Sequence, residues 1–208
     1  MTSPHSARAT GDSSLMGADR ARFLLASASP QRRAILTQLD LDFRVEVPAV
    51  IELEEGEPIA LALANSQLKV AAARELATDD EAIIAVDTIV MINGEAWGKP
   101  RDVADAERML RGLRGQIHTV VGGLTLMLPN GDQHDLIAKT NVTFRDFGDD
   151  VLAWYLEREE WRDRAGAYAI QHTGASFIER IDGDYLNVVG FPVAAFLDLA
   201  ASIGLQLH

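Results

Sequence analysis

The sequence has 208 residues, enough for one sizeable domain or two small lobes sharing a core. Apolar residues make up 48% and charged residues 24%, which excludes wholesale disorder, and 31 acidic against 19 basic side chains give a formal charge of −12. That charge repels a polyanion and lacks the footprint of a nucleic-acid binder. Cysteine is absent, which removes disulfides, thiolate nucleophiles and Cys-ligated metals, and the longest apolar runs reach only about half of the ~20 residues a membrane span needs. Neither a nucleic-acid polymer nor a membrane is expected as a partner.

Residues 1–22 are rich in Ser, Ala, Gly and Asp, show no apolar period and lack the apolar stretch of a secretory signal. A flexible extension is expected there, with Asp12 and Asp19 arguing against a transit peptide, and one folded domain over 23–208 in the cytoplasm. Residues 23–28 read as a strand, and Ser29-Pro30 supplies an N-cap and a proline at the first helical position. Residues 43–47 alternate as a second strand, an acidic loop follows at 52–57, and 58–76 is Ala/Leu-rich enough for a long helix. A β-branched run over 82–92 ends at Asn93-Gly94, a hairpin signal. Asp102 caps a helix to about 113. Residues 117–128 and 134–144 flank Pro129-Asn130-Gly131-Asp132 as a long antiparallel hairpin with an expected bend at Gly122-Gly123. Helices are expected over 148–160 and 192–203, and extended chain over 176–181. Crossovers together with hairpins predict a mixed α/β sheet.

Four segments carry chemistry. In Ser27-Ala28-Ser29-Pro30-Gln31-Arg32-Arg33, positive side chains in a helix's first turn oppose the macrodipole, whereas a bound anion would reward both the free N–H groups and the arginines. The competing reading is plain solvated charge. Asp87-Thr88 interrupts an apolar run whose both alternations are apolar, so the carboxylate needs a cation or donors, as metal ligand or general base, or else as a salt-bridged structural residue. Lys99, between Gly98 and Pro100, is a candidate point charge for the same site, and Glu52 a candidate hard-oxygen partner of Asp87 for magnesium. In 165–171, small residues allow close backbone approach and Gln171 offers a donor and an acceptor, against a tight packing corner as the alternative. His118, His134 and His172 lack zinc-like spacing and read as structural or surface residues.

In order, Ser27-x-Ser29-Pro30-x-Arg32-Arg33, Asp87-Thr88, Gly98-Lys99-Pro100, His118-Thr119-Val120, Thr140-x-Val142-x-Phe144, Ala165-Gly166-Ala167-Tyr168-x-Ile170-Gln171 and Asn187-Val188-Val189-Gly190-Phe191-Pro192 resemble the Maf family of nucleoside triphosphate pyrophosphatases over about 23–204. The resemblance implies a two-lobed mixed sheet flanked by helices, related to inosine triphosphatases, with a central nucleotide-binding cleft. It implies hydrolysis of a nucleoside triphosphate to the monophosphate and pyrophosphate with a divalent cation (Mg²⁺, Mn²⁺ or Co²⁺), and it leaves a homodimer open. Asp87, Lys99 and Glu52 match its catalytic positions, Glu52 and Asp87 its metal site, and Ser27, Arg32, Arg33, Thr88 and Gln171 its substrate contacts. Gln31 departs from the arginine of the dTTP/UTP subgroup, which Thr88 and Gln171 otherwise resemble. The family's helix lysine, in a Leu-Ala-x-x-Lys pattern, falls on Gln67, so that Lys69 replaces it only if the helix register shifts. A non-catalytic nucleotide-binding regulator of cell division is the alternative, and a phosphatase or kinase of small substrates a third.

Overall fold

The computed structural model describes residues 20–208. The expected N-terminal extension, over 1–22, lies for its first 19 residues outside them, and its last residue is already in the sheet. β1 (Arg22–Ala26) starts with Arg22 opposite both Asp42 and Glu81. Ser29 then caps α1 (Pro30–Gln38), its Oγ accepting from the Arg32 N–H at 3.4 Å. β2 (Asp42–Glu46) lies parallel to β1. In α2 (Pro58–Ala73) the Glu57 side chain accepts from the Ala60 N–H at 2.8 Å, and the predicted last turn, Arg74–Leu76, is a 3₁₀ turn.

β3 (Glu81–Ile92) pairs parallel with β1 and, through the Asn93-Gly94 turn, antiparallel with the short β4 (Glu95–Trp97). Asn93 and Gly94 have φ of 52° and 81°, as a two-residue hairpin loop requires. After the Asp102-capped α3 (Val103–Leu113) come β5 (Ile117–Met127), β6 (Gln133–Phe144) and α4 (Asp149–Leu156), then β7 (Ile178–Asp182), α5 (Tyr185–Val189) and α6 (Val193–Ser202). The sheet order is β2-β1-β3-β5-β6-β7, with β4 on β3, parallel at one edge and antiparallel elsewhere.

At Gly122-Gly123, where a bend was expected, the β5–β6 ladder runs through both glycines without a register shift. Both glycines permit close approach. A Cβ on Gly123 would lie 2.5 Å from the Ala62 backbone in α2, and one on Gly122 would lie 2.1 Å from Asn187 Oδ1.

One face of the sheet carries two separate cores. Phe23, Leu25, Ile84 and Leu124 pack with Ile35 and Leu36 of α1 and Phe196 of α6 at one end; Val90, Val120 and Val142 pack with Leu110 of α3 and Tyr155 of α4 at the other. On the opposite face, Leu24, Ala26, Ile83 and Ala85 meet Val70 and Ala73 of α2. The long strands thus run through two lobes.

Candidate active site

The site lies where the edge of β3 is bare. β1 pairs with it as far as Leu25 opposite Ile84, and pairing with β4 starts only at Val90, opposite Trp97. Between them, among the described residues, no strand covers that edge at 85–89, and a cleft of about 550 Å³ opens there. Successive strand side chains point to opposite faces, yet Asp87 and Thr88 both line the cleft, because the gap in the sheet opens it to both faces.

Asp87 is buried in this apolar strand, and α2 supplies the compensation that its charge demands. Lys69 Nζ lies 2.7 Å from Asp87 Oδ1 and 3.0 Å from Glu52 Oε1, and it reaches the Val86 carbonyl at 3.5 Å. Asn65, one helical turn earlier, donates Nδ2 to Asp87 Oδ2 at 3.2 Å. Two carboxylates from different elements therefore share one ammonium, and each oxygen of Asp87 keeps a lone pair free of these bonds.

Arg32 faces them from the first turn of α1. Its Nε donates to the Gly190 carbonyl at 2.9 Å, Nη1 to Ser27 Oγ at 3.0 Å and Nη2 to Thr88 Oγ1 at 3.1 Å. None of these acceptors is a carboxylate. Burial pulls the guanidinium's pKa down, with the charges of Asp87 and Glu52 opposing, but an arginine keeps its proton in a protein. The result is a rigidly held cation with no carboxylate bonded to it, at the positive end of a helix.

Lys99 and Gln171 line the other lobe's side of the cleft. The Gly98 carbonyl accepts from the Gly166 N–H at 3.0 Å, fastening the Lys99 loop to the 165–167 turn. Gly166 needs its φ of 67°, and a Cβ there would lie 2.7 Å from Val90. Val90, Val120, Val188 and Tyr168 form an apolar wall of the kind a flat ring uses. Tyr168 is supported from behind by His118, whose Nε2 is 2.9 Å from the Tyr168 hydroxyl and whose pKa burial pushes down to about 4, so it is neutral and structural as expected. Around the cleft, five cationic side chains (Arg32, Lys69, Lys99, Arg162 and Arg164) outnumber Glu52, Asp87 and Asp163, an inversion of the molecule's overall charge of −12.

The structure brings together Ser27, Arg32, Glu52, Lys69, Asp87, Thr88, Lys99 and Gln171 around this cleft. Arg33 is a correction: it is exposed and outside the cleft lining, since one helical step turns it about 100° from Arg32. Gln67, where the family pattern put a lysine, bonds Asp135 Oδ2 at 2.7 Å at the surface, and Lys69 is the lysine on the inner face of α2. Asn65 was not anticipated; an amide in an Ala/Leu helix four residues before a buried lysine was the available signal. No group of three or more His, Asp or Glu among the described residues is placed to hold a metal ion. Glu52 and Asp87 nonetheless present two hard oxygen donors converging on one cation, a set that fits a divalent ion completed by phosphate oxygens and water. No helix among the described residues is long and apolar enough to cross a membrane.

A family model described as Maf-like protein matches residues 22–203. Over 183 residues the chain is 41% identical to the dTTP/UTP pyrophosphatase of Pyrococcus furiosus, covering 86% of this chain and 93% of that one. It is 39% identical over 188 residues to the dTTP/UTP pyrophosphatase of Deinococcus radiodurans, covering 89% and 94%. The solved Ham1 protein of Staphylococcus aureus aligns with a TM-score of 0.44 at 19% identity, covering 60% of this chain and 72% of that one.

Proposed function

This chain belongs to the Maf-like protein family, and from that premise we propose that it is a nucleoside triphosphate pyrophosphatase, hydrolysing dTTP or UTP to the monophosphate and pyrophosphate. The observation that carries the reading is Arg32, held by three neutral acceptors and facing a lysine-bridged carboxylate pair across one cleft. A polyphosphate satisfies the first group, and the second suits attack by water at a phosphorus beside it.

In this reading Arg32, Ser27 and the start of α1 hold the phosphates, with Lys99 adding charge from the opposite lobe. The apolar wall and Gln171 receive the base. Asp87 accepts the proton of the attacking water, its orientation fixed by Lys69 on one oxygen and Asn65 on the other. Arg32 and Lys99 offset the charge that develops on the bridging oxygen as pyrophosphate departs. Glu52 and Asp87 would hold a divalent cation, Mg²⁺, Mn²⁺ or Co²⁺, whose charge offsets that of the phosphates and acidifies the water. A cytoplasmic location is part of the same proposal.

The test is a screen of nucleoside triphosphates for pyrophosphate release by the purified chain. The expected result is monophosphate plus pyrophosphate, fastest with dTTP or UTP, and lost on chelation. Orthophosphate as the first product would overturn the bond assignment, and nucleotide binding without turnover would replace the enzyme with a regulator.

A further inference from the structure

Residues 48–56 connect β2 to α2 and carry Glu52 to the cleft without forming a helix or strand. Their backbone is almost untethered. Among the described residues, the polar contacts that fasten this segment to the rest of the protein are Leu53 with Asn65 and the ion pair of Glu52 with Lys69, while buried Pro48 anchors its start. Asn65 Oδ1 accepts from the Leu53 N–H at 2.8 Å, and its Nδ2 donates to the Leu53 carbonyl at 3.0 Å, so the side-chain amide pairs with that residue's backbone as a neighbouring strand would. The same Nδ2 group donates to Asp87 Oδ2 at 3.2 Å.

Asn65 is 3% exposed and does not line the cleft, so it touches no substrate. Glu52, by contrast, has a side chain 43% exposed, and little besides Lys69 holds its carboxylate. The neighbouring Leu53 side chain is also exposed and supplies no apolar anchor. Beyond Pro48, the backbone around Glu52 is therefore hydrogen-bonded to the body of the protein through one side-chain amide. We infer that Asn65 is a positioning residue for the hydrolysis proposed above, holding the Glu52 loop in register with Asp87 through simultaneous bonds to the Leu53 backbone and the Asp87 carboxylate.

A purely structural Asn65 would lower stability without regard to Glu52. A positioning Asn65 predicts coupling between the two. In Asn65→Ala the Leu53 amide, the bonded N–H of this segment, should exchange hydrogen at least tenfold faster, while amides of β3 and β5 keep their protection. This readout is independent of activity, so it tests the tether even if no triphosphate proves to be a substrate. In kinetics, kcat should fall at least tenfold with the nucleotide KM within threefold. In the Glu52→Gln background the further loss should be at least fivefold smaller than in the wild type. Unchanged exchange at the Leu53 amide, or kinetic losses that multiply as if independent, would overturn the inference. Asn65→Ser is too short to reach Leu53 and Asp87 together and brings no charge beside Asp87; it serves for the kinetic cycle if the alanine variant does not fold, with the same coupling expected.

Discussion

The ammonium nitrogen of Lys69 lies 2.7 Å from Oδ1 of Asp87, with the two side chains 8% and 11% exposed. Lys69→Met would leave Asp87 and Glu52 facing each other without their shared cation. Removing one partner of such a pair costs roughly 3 kcal/mol. The variant should melt lower than the wild type, and millimolar Mn²⁺ should raise its Tm more than it raises that of the wild type. Equal melting temperatures without metal would show that the pair contributes nothing to stability.

Asp87→Asn should lower turnover by about 10²–10⁴, the range for loss of acid–base catalysis. Its single carbonyl oxygen can face Lys69 or the Asn65 amide but not both, so a modest destabilisation of about 1–2 kcal/mol accompanies the change. Nucleotide binding should outlast turnover, because Arg32 is untouched. A folded variant hydrolysing dTTP and UTP within a few-fold of the wild-type rate would move the base to another residue.

Arg32→Lys keeps the charge and loses the fork. Three acceptors, the Gly190 carbonyl, Ser27 Oγ and Thr88 Oγ1, are matched by three nitrogens of one planar group, which an ammonium cannot reproduce. The nucleotide KM should rise at least about tenfold, roughly 1.4 kcal/mol of lost binding. A KM unchanged in the variant would place the phosphates elsewhere in the cleft.

Much of this site was legible in the sequence because its signals are local. Ser29-Pro30 caps α1 and fixes where Arg32 points; Asp87 stands out as the acid in an apolar strand; Asn93-Gly94 announces the hairpin that ends β3. The rotation of α2 was not legible. Its sequence is nearly uniform in Ala and Leu, so no apolar period distinguishes the inner face that holds Asn65 and Lys69 from the outer face that holds Gln67. The bare edge of β3 was equally hidden, since it depends on where β1 ends and a three-residue β4 begins. The packing roles of Gly122 and Gly123 were not legible, because close approach and bending leave the same residue in the sequence.

Stability should fall in acid through Glu81. Arg44 bonds it through Nε and Nη2, both at 2.7 Å, and the hydrogen bonds of Arg44 hold its carboxyl at about 2, below the ordinary 4.5, against a smaller opposing effect of burial. The folded state therefore binds this proton less readily than the unfolded chain. Its contribution is fully present above about pH 4.5 and is lost as pH falls toward 2. Urea unfolding between pH 2.5 and 6 should show stability declining through that window, and the decline should be shallower in Glu81→Gln. Parallel curves for the two proteins would remove Glu81 from the acid response.

Gly123→Ala tests how α2 is seated and, through it, the site. A Cβ at residue 123 would lie 2.5 Å from both the carbonyl carbon and oxygen of Ala62 and 2.7 Å from the Leu63 nitrogen. These are backbone atoms inside a helix and cannot rotate aside, so α2 must move away from β5 or the strand must deform. Overpacking of this kind costs about 1–3 kcal/mol, which for a chain of this size lowers Tm by roughly 2–12 °C. The same helix carries Asn65 and Lys69 on its inner face, one and two turns beyond the clash. A shift of α2 therefore moves both groups that orient Asp87 while leaving Arg32, on α1, in place. The expected signature is a reduced kcat with nearly unchanged nucleotide affinity, measured well below the lowered Tm so that unfolding does not contribute. A variant that melts lower yet keeps the wild-type kcat would mean that α2 relaxes without disturbing Asp87.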